Sequence, residues 1–314
     1  VLDIIREYAE KRADQGSENM TLTISVITPS FNQGRFIEQT INSVLSQNGS
    51  RLQYVVMDGG STDETVNILK RYNDRLSWVS EKDKGQAHAV NKGIKSTSGE
   101  IIGWLNSDDV YYEGTIAAVL SFFEAHPEVE VIYGDADHID IDGNVIESYY
   151  TEDWDHERLK EVCFICQPSV FFRRRIVEKA GLLDEKLQYC MDYEYWLRLG
   201  TYTSFVRLDK SLAGSRMYTD NKTLGERVAV HKEINDMFKK NLHSIPRKWI
   251  FAYSHAVIDA KGYRRDAPNE DLRYVMALIC VTIFSFLRWK QGISGDALKV
   301  MATWLAGSLK GMAR

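Results

Sequence analysis

The stretch GEIIGWLNSDDVYY, residues 99–112, decides how the chain is read. Ile101 to Leu105 form a short apolar run of the kind that fills a strand buried on both faces, and the run leads straight into Asp108 and Asp109. Adjacent carboxylates repel, so the pair calls for something that neutralises it. On an extended strand, neighbouring side chains point opposite ways, which leaves one acid for a hydroxyl and the other for a hard divalent cation.

The same apolar-then-acidic unit recurs outward from this stretch. TISVITP (23–29) precedes a helical pattern, GRFIEQTINSVLSQ (34–47), with Phe36, Ile37, Ile41, Val44 and Leu45 on one face. LQYVVMDGG (52–60) precedes STDETVNILKRY, which Ser61 or Thr62 would cap. LSWVSEKD (76–83) precedes KGQAHAVNKGIKS, and the opening stretch precedes EGTIAAVLSFFEAH (113–126). Near-continuous apolar strands alternating with amphipathic helices predict an α/β fold with a mostly parallel sheet flanked by helices. Asp58, Asp83 and Asp108 fall at successive predicted strand ends, 25 residues apart each time. Parallel strands deliver such acids to one edge, where open α/β sheets bind ligands.

Past Val131 the pattern changes. Residues 130–150 predict a hairpin turning at Asp142-Gly143, with DADHIDID (135–142) as the alternation of an edge strand. PSVFFRR and SFVRL read as strands, MDYEYWLRLGTY as a helix, and the chain beyond about residue 222 as mainly helical. The expected organisation is an N-terminal helical segment or linker over 1–19, with a natural start at Met20. A main domain over 20–223 and a C-terminal helical extension over 224–314 follow.

The 314 residues carry a net charge of −5, unevenly spread. From Arg273 onward there are six basic residues (Arg273, Arg288, Lys290, Lys299, Lys310, Arg314) against Asp296, a surplus of five that leaves residues 1–272 at −10. An acidic body argues against nucleic acid as a partner. Four cysteines without a framework fit a reducing compartment. Cys163 and Cys166 form a lone CxxC, short of a zinc set. No secretory leader pattern is present in the sequence, and the expected location is cytoplasmic.

Taken in order, ISVITPSFNQGRFIEQTINSVLSQ, YVVMDGGSTDETV, SEKDKGQAHAVNKG, GEIIGWLNSDD and MDYEYWLRLG resemble glycosyltransferase family 2, over roughly residues 22–223. The resemblance implies an inverting enzyme with a GT-A fold. It implies that Thr28, Pro29 and Ser30 pack near the base and ribose of a nucleotide. Asp58 would bond the base, usually uracil, and Asp83 would also lie near the nucleotide, with Lys84 as a phosphate or base contact. Asp108 and Asp109 match the acidic metal motif, with Asp109 as the direct ligand and Asp108 nearer the ribose or donor sugar. Asp192 matches the catalytic base. Arg216 and Lys222 would reach the diphosphate. The sequence departs from the pattern at Met191, where the family often has Glu, and at Met217-Tyr218, where a His is expected.

The chemistry of inversion needs one carboxylate to take the acceptor proton, and a cation in place of a general acid at the departing diphosphate. The expected activity is therefore a metal-dependent hexosyl- or N-acetylhexosaminyltransferase. It would use Mn2+ or Mg2+, a nucleotide sugar, UDP-linked by resemblance, and a glycan or lipid-linked acceptor. The alternatives are a non-catalytic nucleotide-sugar-binding module and a magnesium-dependent phosphoryl- or nucleotidyl-transfer enzyme. Each acid also has a plainer reading. Asp58 can start a turn and cap a helix, Asp108 and Asp109 can end a solvated strand, Asp192 can favour a helix N-terminus, and Arg216 can be a surface ion-pair partner. The tail YVMALICVTIFSFL (274–287), with Leu298, Met301, Leu305 and Leu309 after it, reads either as a peripheral membrane contact over 273–314 or as a packing or homo-oligomer surface.

Overall fold

The computed structural model describes residues 22–47, 51–219, 221, 225–264 and 271–312. The expectations for residues 1–19, for the start at Met20 and for Lys222 lie outside the described residues.

Nine strands form one sheet: β1 (Ile24–Ser30), β2 (Leu52–Asp58), β3 (Ser77–Ser80), β4 (Ile101–Trp104), β5 (Val110–Tyr111), β6 (Val131–Ile139), β7 (Val145–Ser148), β8 (Val170–Arg173) and β9 (Val206–Arg216). Their order is β3-β2-β1-β4-β8-β6-β9-β5, with β7 paired to β6. The first four strands are parallel, in a register that sets Ser30 beside Asp58 and Ile27 beside Trp104. β8 then runs antiparallel between β4 and β6, and β9 returns parallel to β6. The sheet is thus mixed. Parallel pairing dominates the half built from βα units, and antiparallel pairing enters with β8, with the β6–β7 hairpin and with β5 on β9.

Alternation along the strands builds two cores. Tyr54 and Val56 join Ile24, Val26, Ile37 and Ile41 on one face, whereas Val55 and Met57 join Ile27, Ile102 and Trp104 on the other. The first face is covered by α1 (Ile37–Leu45), α2 (Thr65–Lys70) and, further along, α4 (Thr115–Ala125); the second is covered by α3 (Gln86–Ser96). Gly93 lets α3 approach closely, because a Cβ there would lie 2.3 Å from Cγ2 of Ile27. The predicted hairpin forms with Gly143 at φ +93°, but β6 is an interior strand rather than an edge. Asp137 and His138 are paired with β9 on one side and β7 on the other, and the Asp135 carboxylate accepts from Arg207, which explains how they sit there.

Three further helices, α5 (His156–Glu161), α6 (Arg174–Ala180) and α7 (Met191–Leu199), lead into β9. The chain then forms α8 (Arg227–Leu242), α9 (Arg247–Ala260), α10 (Asp271–Arg288) and α11 (Gly295–Met312). These last helices do not stand apart. Phe238, Ile250, Phe286, Trp289 and Ala297 belong to the same buried cluster as Tyr193, Tyr195, Trp196 and Val55.

Candidate active site

At the C-terminal ends of β1, β2 and β4 the chain leaves the sheet and surrounds a cavity of about 760 Å³. That volume is in the range of ligand pockets. Pro29, Ser30, Asp83, Asp108, Asp109 and Asp192 all line it. The connections after β3 and after β4 and the helix α7 therefore bring their acids to one space, as parallel strands with a common direction require.

The aspartate pair does not extend a strand. β4 ends at Trp104, and Asp108-Asp109 sit in the turn that follows, closed by Asp109 N–H to the Asn106 carbonyl at 3.2 Å. The alternation expected from an extended strand gives way to a turn in which both acids reach the cavity. A side-chain network holds that turn. Asn106 Oδ1 accepts from Trp104 Nε1 at 2.9 Å and from Gln86 Nε2 at 2.7 Å, while its Nδ2 donates to Asp109 Oδ2 at 3.3 Å. Asp109 Oδ1 accepts from the Arg216 backbone N–H at 2.8 Å, and Asp108 Oδ2 accepts from the Tyr218 hydroxyl at 2.9 Å.

These donors are neutral, and burial dominates the electrostatics. It raises the Asp108 carboxyl, and burial together with the Asp108 charge raises that of Asp109 well above the usual carboxylate range. Two crowded carboxylates with unused lone pairs facing a cavity fit a hard divalent cation. Among the described residues there is no group of three or more His, Cys, Asp or Glu side chains placed to hold a metal. A cation here would therefore complete its shell with phosphate oxygens and water, as Mg2+ and Mn2+ do in nucleotide sites.

Arg216 has a different place from the expected diphosphate contact. It is fully buried on β9, and its guanidinium donates to the Asp108 carbonyl at 2.7 Å, the Asp140 carbonyl at 2.6 Å and Gln39 Oε1. With its donors committed to protein acceptors behind the aspartate turn, it braces the turn and does not line the cavity. Lys84 is exposed and off the cavity, and Lys82 lines it instead, because residues 81–85 curl away from β3 before α3 begins. Asp58 is buried beneath the wall, where its carboxylate accepts from Gly60 N, Ser61 N and Oγ, and Ser80 Oγ, so it organises the loop whose Gly59 reaches the cavity. Thr28 is buried with its hydroxyl 3.2 Å from that of Tyr54, away from the cavity. Ser30 differs from both. Its hydroxyl is buried without a hydrogen-bond partner among the described residues, at a position that lines the cavity.

Residues 25–181, half of the chain, match the sequence profile of glycosyl transferase family 2. The chain belongs to that family. An uncharacterized glycosyltransferase of Rickettsia prowazekii is 28% identical over 216 residues, covering 64% of this chain and 65% of that protein. The chondroitin synthase of Escherichia coli is 26% identical over 257 residues, 79% of this chain but 37% of the synthase. The chain therefore spans less than two thirds of the length of these relatives. Among solved structures, S. aureus TarS 1-349 in complex with UDP-GlcNAc aligns with a TM-score of 0.56 at 18% identity, covering 83% of this chain and 82% of that one. A Pyrobaculum calidifontis mannosyltransferase in complex with GDP-Man and Mn2+ aligns with a TM-score of 0.57 at 17% identity, covering 98% and 88%. The fold is the GT-A fold of these glycosyltransferases.

The family match ends at Gly181; beyond it, Asp192 and Tyr218 line the cavity and Arg216 braces the aspartate turn from behind. Asp192 stands in the first turn of α7 with Tyr193 N–H bonded to its Oδ1 at 2.7 Å. Glu194, two residues on, is buried, paired with Arg198 at 2.8 Å and off the cavity. Sequence reasoning missed Glu233 of α8, whose carboxylate accepts from the backbone N–H groups of Gln188, Tyr189 and Cys190 at 2.7, 2.6 and 2.9 Å. It clamps the loop that delivers Asp192. Tyr149, Val230, Ile234 and Trp249 were also missed as walls of the cavity. Only Tyr218 had a signal, as the residue at the departure from the family pattern. Cys163 and Cys166 line the cavity, with burial pushing Cys163 up to about 12 and Cys166 well above the ordinary thiol value, so in the metal-free chain both are thiols at neutral pH.

Proposed function

We propose that the chain transfers a sugar, with inversion, from a nucleotide-diphosphate donor to a hydroxyl of a glycan or lipid-linked acceptor. The observation that carries this reading is the sharing of one cavity by the raised Asp108–Asp109 pair and by Asp192 from a separate helix. The donor is a UDP-sugar carrying a hexosyl or N-acetylhexosaminyl group. The UDP-GlcNAc complex of TarS and the family relationship to a chondroitin synthase support that choice.

Asp109, with Asp108 toward the ribose or donor sugar, would hold Mg2+ or Mn2+, which when bound supplies positive charge against the departing diphosphate. Ser30, Lys82 and Asp83 meet the nucleotide from the β1 to β3 side of the cavity. Asp192 accepts the acceptor hydroxyl's proton as the oxygen attacks the anomeric carbon, and the walls around it keep water from competing. Arg216, Asn106 and Tyr218 act earlier, by fixing the aspartate turn before any ligand arrives.

Replacing Asp192 with Asn keeps the side chain's size and removes its basicity. In Asp192→Asn, calorimetry with manganese should find donor binding intact while sugar transfer falls about 10²- to 10⁴-fold. Transfer at the wild-type rate would remove Asp192 from the mechanism, and loss of donor binding as well would assign it to the donor side.

A further inference from the structure

Helix α10 carries apolar side chains on its outer face as well as its inner one. Thr282 and Ser285 are buried against the protein, while Phe284 and Leu287 are 64% and 67% exposed. Met276, Cys280, Ile283, Phe284 and Leu287 are all exposed and recur at i, i+4, i+7, i+8 and i+11, which makes one continuous stripe on the outer face. The inner face is already satisfied, because Tyr274, Val275 and Leu278 pack on Ile258 of α9, and Phe286 enters the main core. The stripe is therefore not a core face that failed to pack. On the neighbouring α11, Trp304 and Leu305 pack against that Tyr274 cluster, while Leu298 and Leu309 are exposed.

The charge beside the α10 stripe is mainly positive. Arg273, Arg288 and Lys290 are exposed and no acidic residue occurs in the sequence over 272–295, while on α11 the exposed Lys299 lies 3.6 Å from Asp296. We propose that this face of α10, with the exposed edge of α11, docks on the surface of an anionic phospholipid bilayer. Apolar side chains enter the headgroup boundary and the flanking basic residues meet lipid phosphates. A second copy of the chain fits the face less well, since it would bring together two segments that each hold a surplus of five positive charges. The helix lies on the bilayer and does not cross it: no helix among the described residues is long and apolar enough to span a membrane.

The test is flotation of the full chain with two sets of vesicles, phosphatidylcholine alone and phosphatidylcholine mixed with phosphatidylglycerol. Wild type should float with the phosphatidylglycerol-containing vesicles and not with the neutral ones. The paired substitution Phe284→Ser and Leu287→Ser changes exposed side chains only, so the circular dichroism spectrum should stay as in wild type while partitioning falls about tenfold or more. Arg288→Gln and Lys290→Gln should each lower it about fivefold. Equal flotation on both vesicle types, or on neither, overturns the proposal. So does a dimer, seen by light scattering, that the serine pair dissociates while flotation is unmoved. None of these readouts involves a sugar donor, so their failure would leave the transferase reading untouched.

Discussion

Asp108 and Asp109 share a turn in which the donors that reach their carboxylates are uncharged, and the Arg216 guanidinium behind the turn lowers both carboxyls by less than burial raises them. Both carboxyls are raised, by burial first and, for Asp109, by the neighbouring charge second. A carboxyl whose folded pKa lies above its unfolded one contributes stability that is present below the unfolded value and lost as pH rises through the folded value. At neutral pH the pair therefore costs stability in the cation-free chain. Asp108→Asn removes one charge and keeps an acceptor for Tyr218. Its melting temperature without metal should exceed wild type by about 2–4 °C at neutral pH, with the gain vanishing below the ordinary carboxylate range. Manganese-dependent donor binding should weaken in the same variant. Scanning calorimetry at the two pH values checks the sign, and a neutral-pH melting temperature below wild type would show that the repulsion is not what dominates the turn.

Arg216 shows how an element can disguise a residue. In the sequence it follows LAGS and looks like a cation awaiting a phosphate, but β9 runs on through that segment and carries the side chain into the protein. There it ties β9 to the Asp140 turn, to the Asp108 carbonyl and to Gln39 of α1, with its guanidinium 4.9 Å from the Phe36 ring. Arg216→Met should strand those buried acceptors and lower stability by about 3 kcal/mol or more, visible as a large fall in the urea midpoint. An arginine that only held the diphosphate would instead raise donor KM and leave the midpoint in place. The four βα units were legible because a strand buried on both faces reads as an apolar run and its covering helix as a 3.6-residue stripe. The direction of β8 was not legible, since VFFR is equally apolar either way round. The reach of β9 was hidden for a related reason: its middle, residues 208–211, is interrupted by polar residues at a register shift against β6. The 25-residue spacing picked out Asp58, Asp83 and Asp108, of which Asp83 and Asp108, with the adjacent Asp109, line the cavity and Asp58 does not. The bonds that commit Asp58 to its own loop come from Ser61 and Ser80, whose partner no spacing reveals.

Across the whole molecule, the division the sequence suggests near residue 223 is crossed by the core. Phe238 of α8 meets Tyr193 of α7 with ring centroids 5.8 Å apart, Trp249 meets the same ring at 5.4 Å, and Trp249 Nε1 donates to the Lys160 carbonyl at 2.8 Å. Glu233 adds a polar tie from α8 to the loop before Asp192. The catalytic candidate is thus held in part by helices outside the family match, so a local pattern such as MDYEYW points to Asp192 but carries nothing about what positions it. A chain built this way should lose both parts together. Tryptophan fluorescence reports on Trp104 and Trp196 near the sheet and on Trp249, Trp289 and Trp304 in the helical extension, while far-UV circular dichroism reports on all the helices. Urea unfolding followed by the two probes should give coincident single transitions with one midpoint. If the extension were a separate unit, its helical signal would be lost in a distinct step with Trp196 still buried, and Asp192 would then need a support other than α8 and α9.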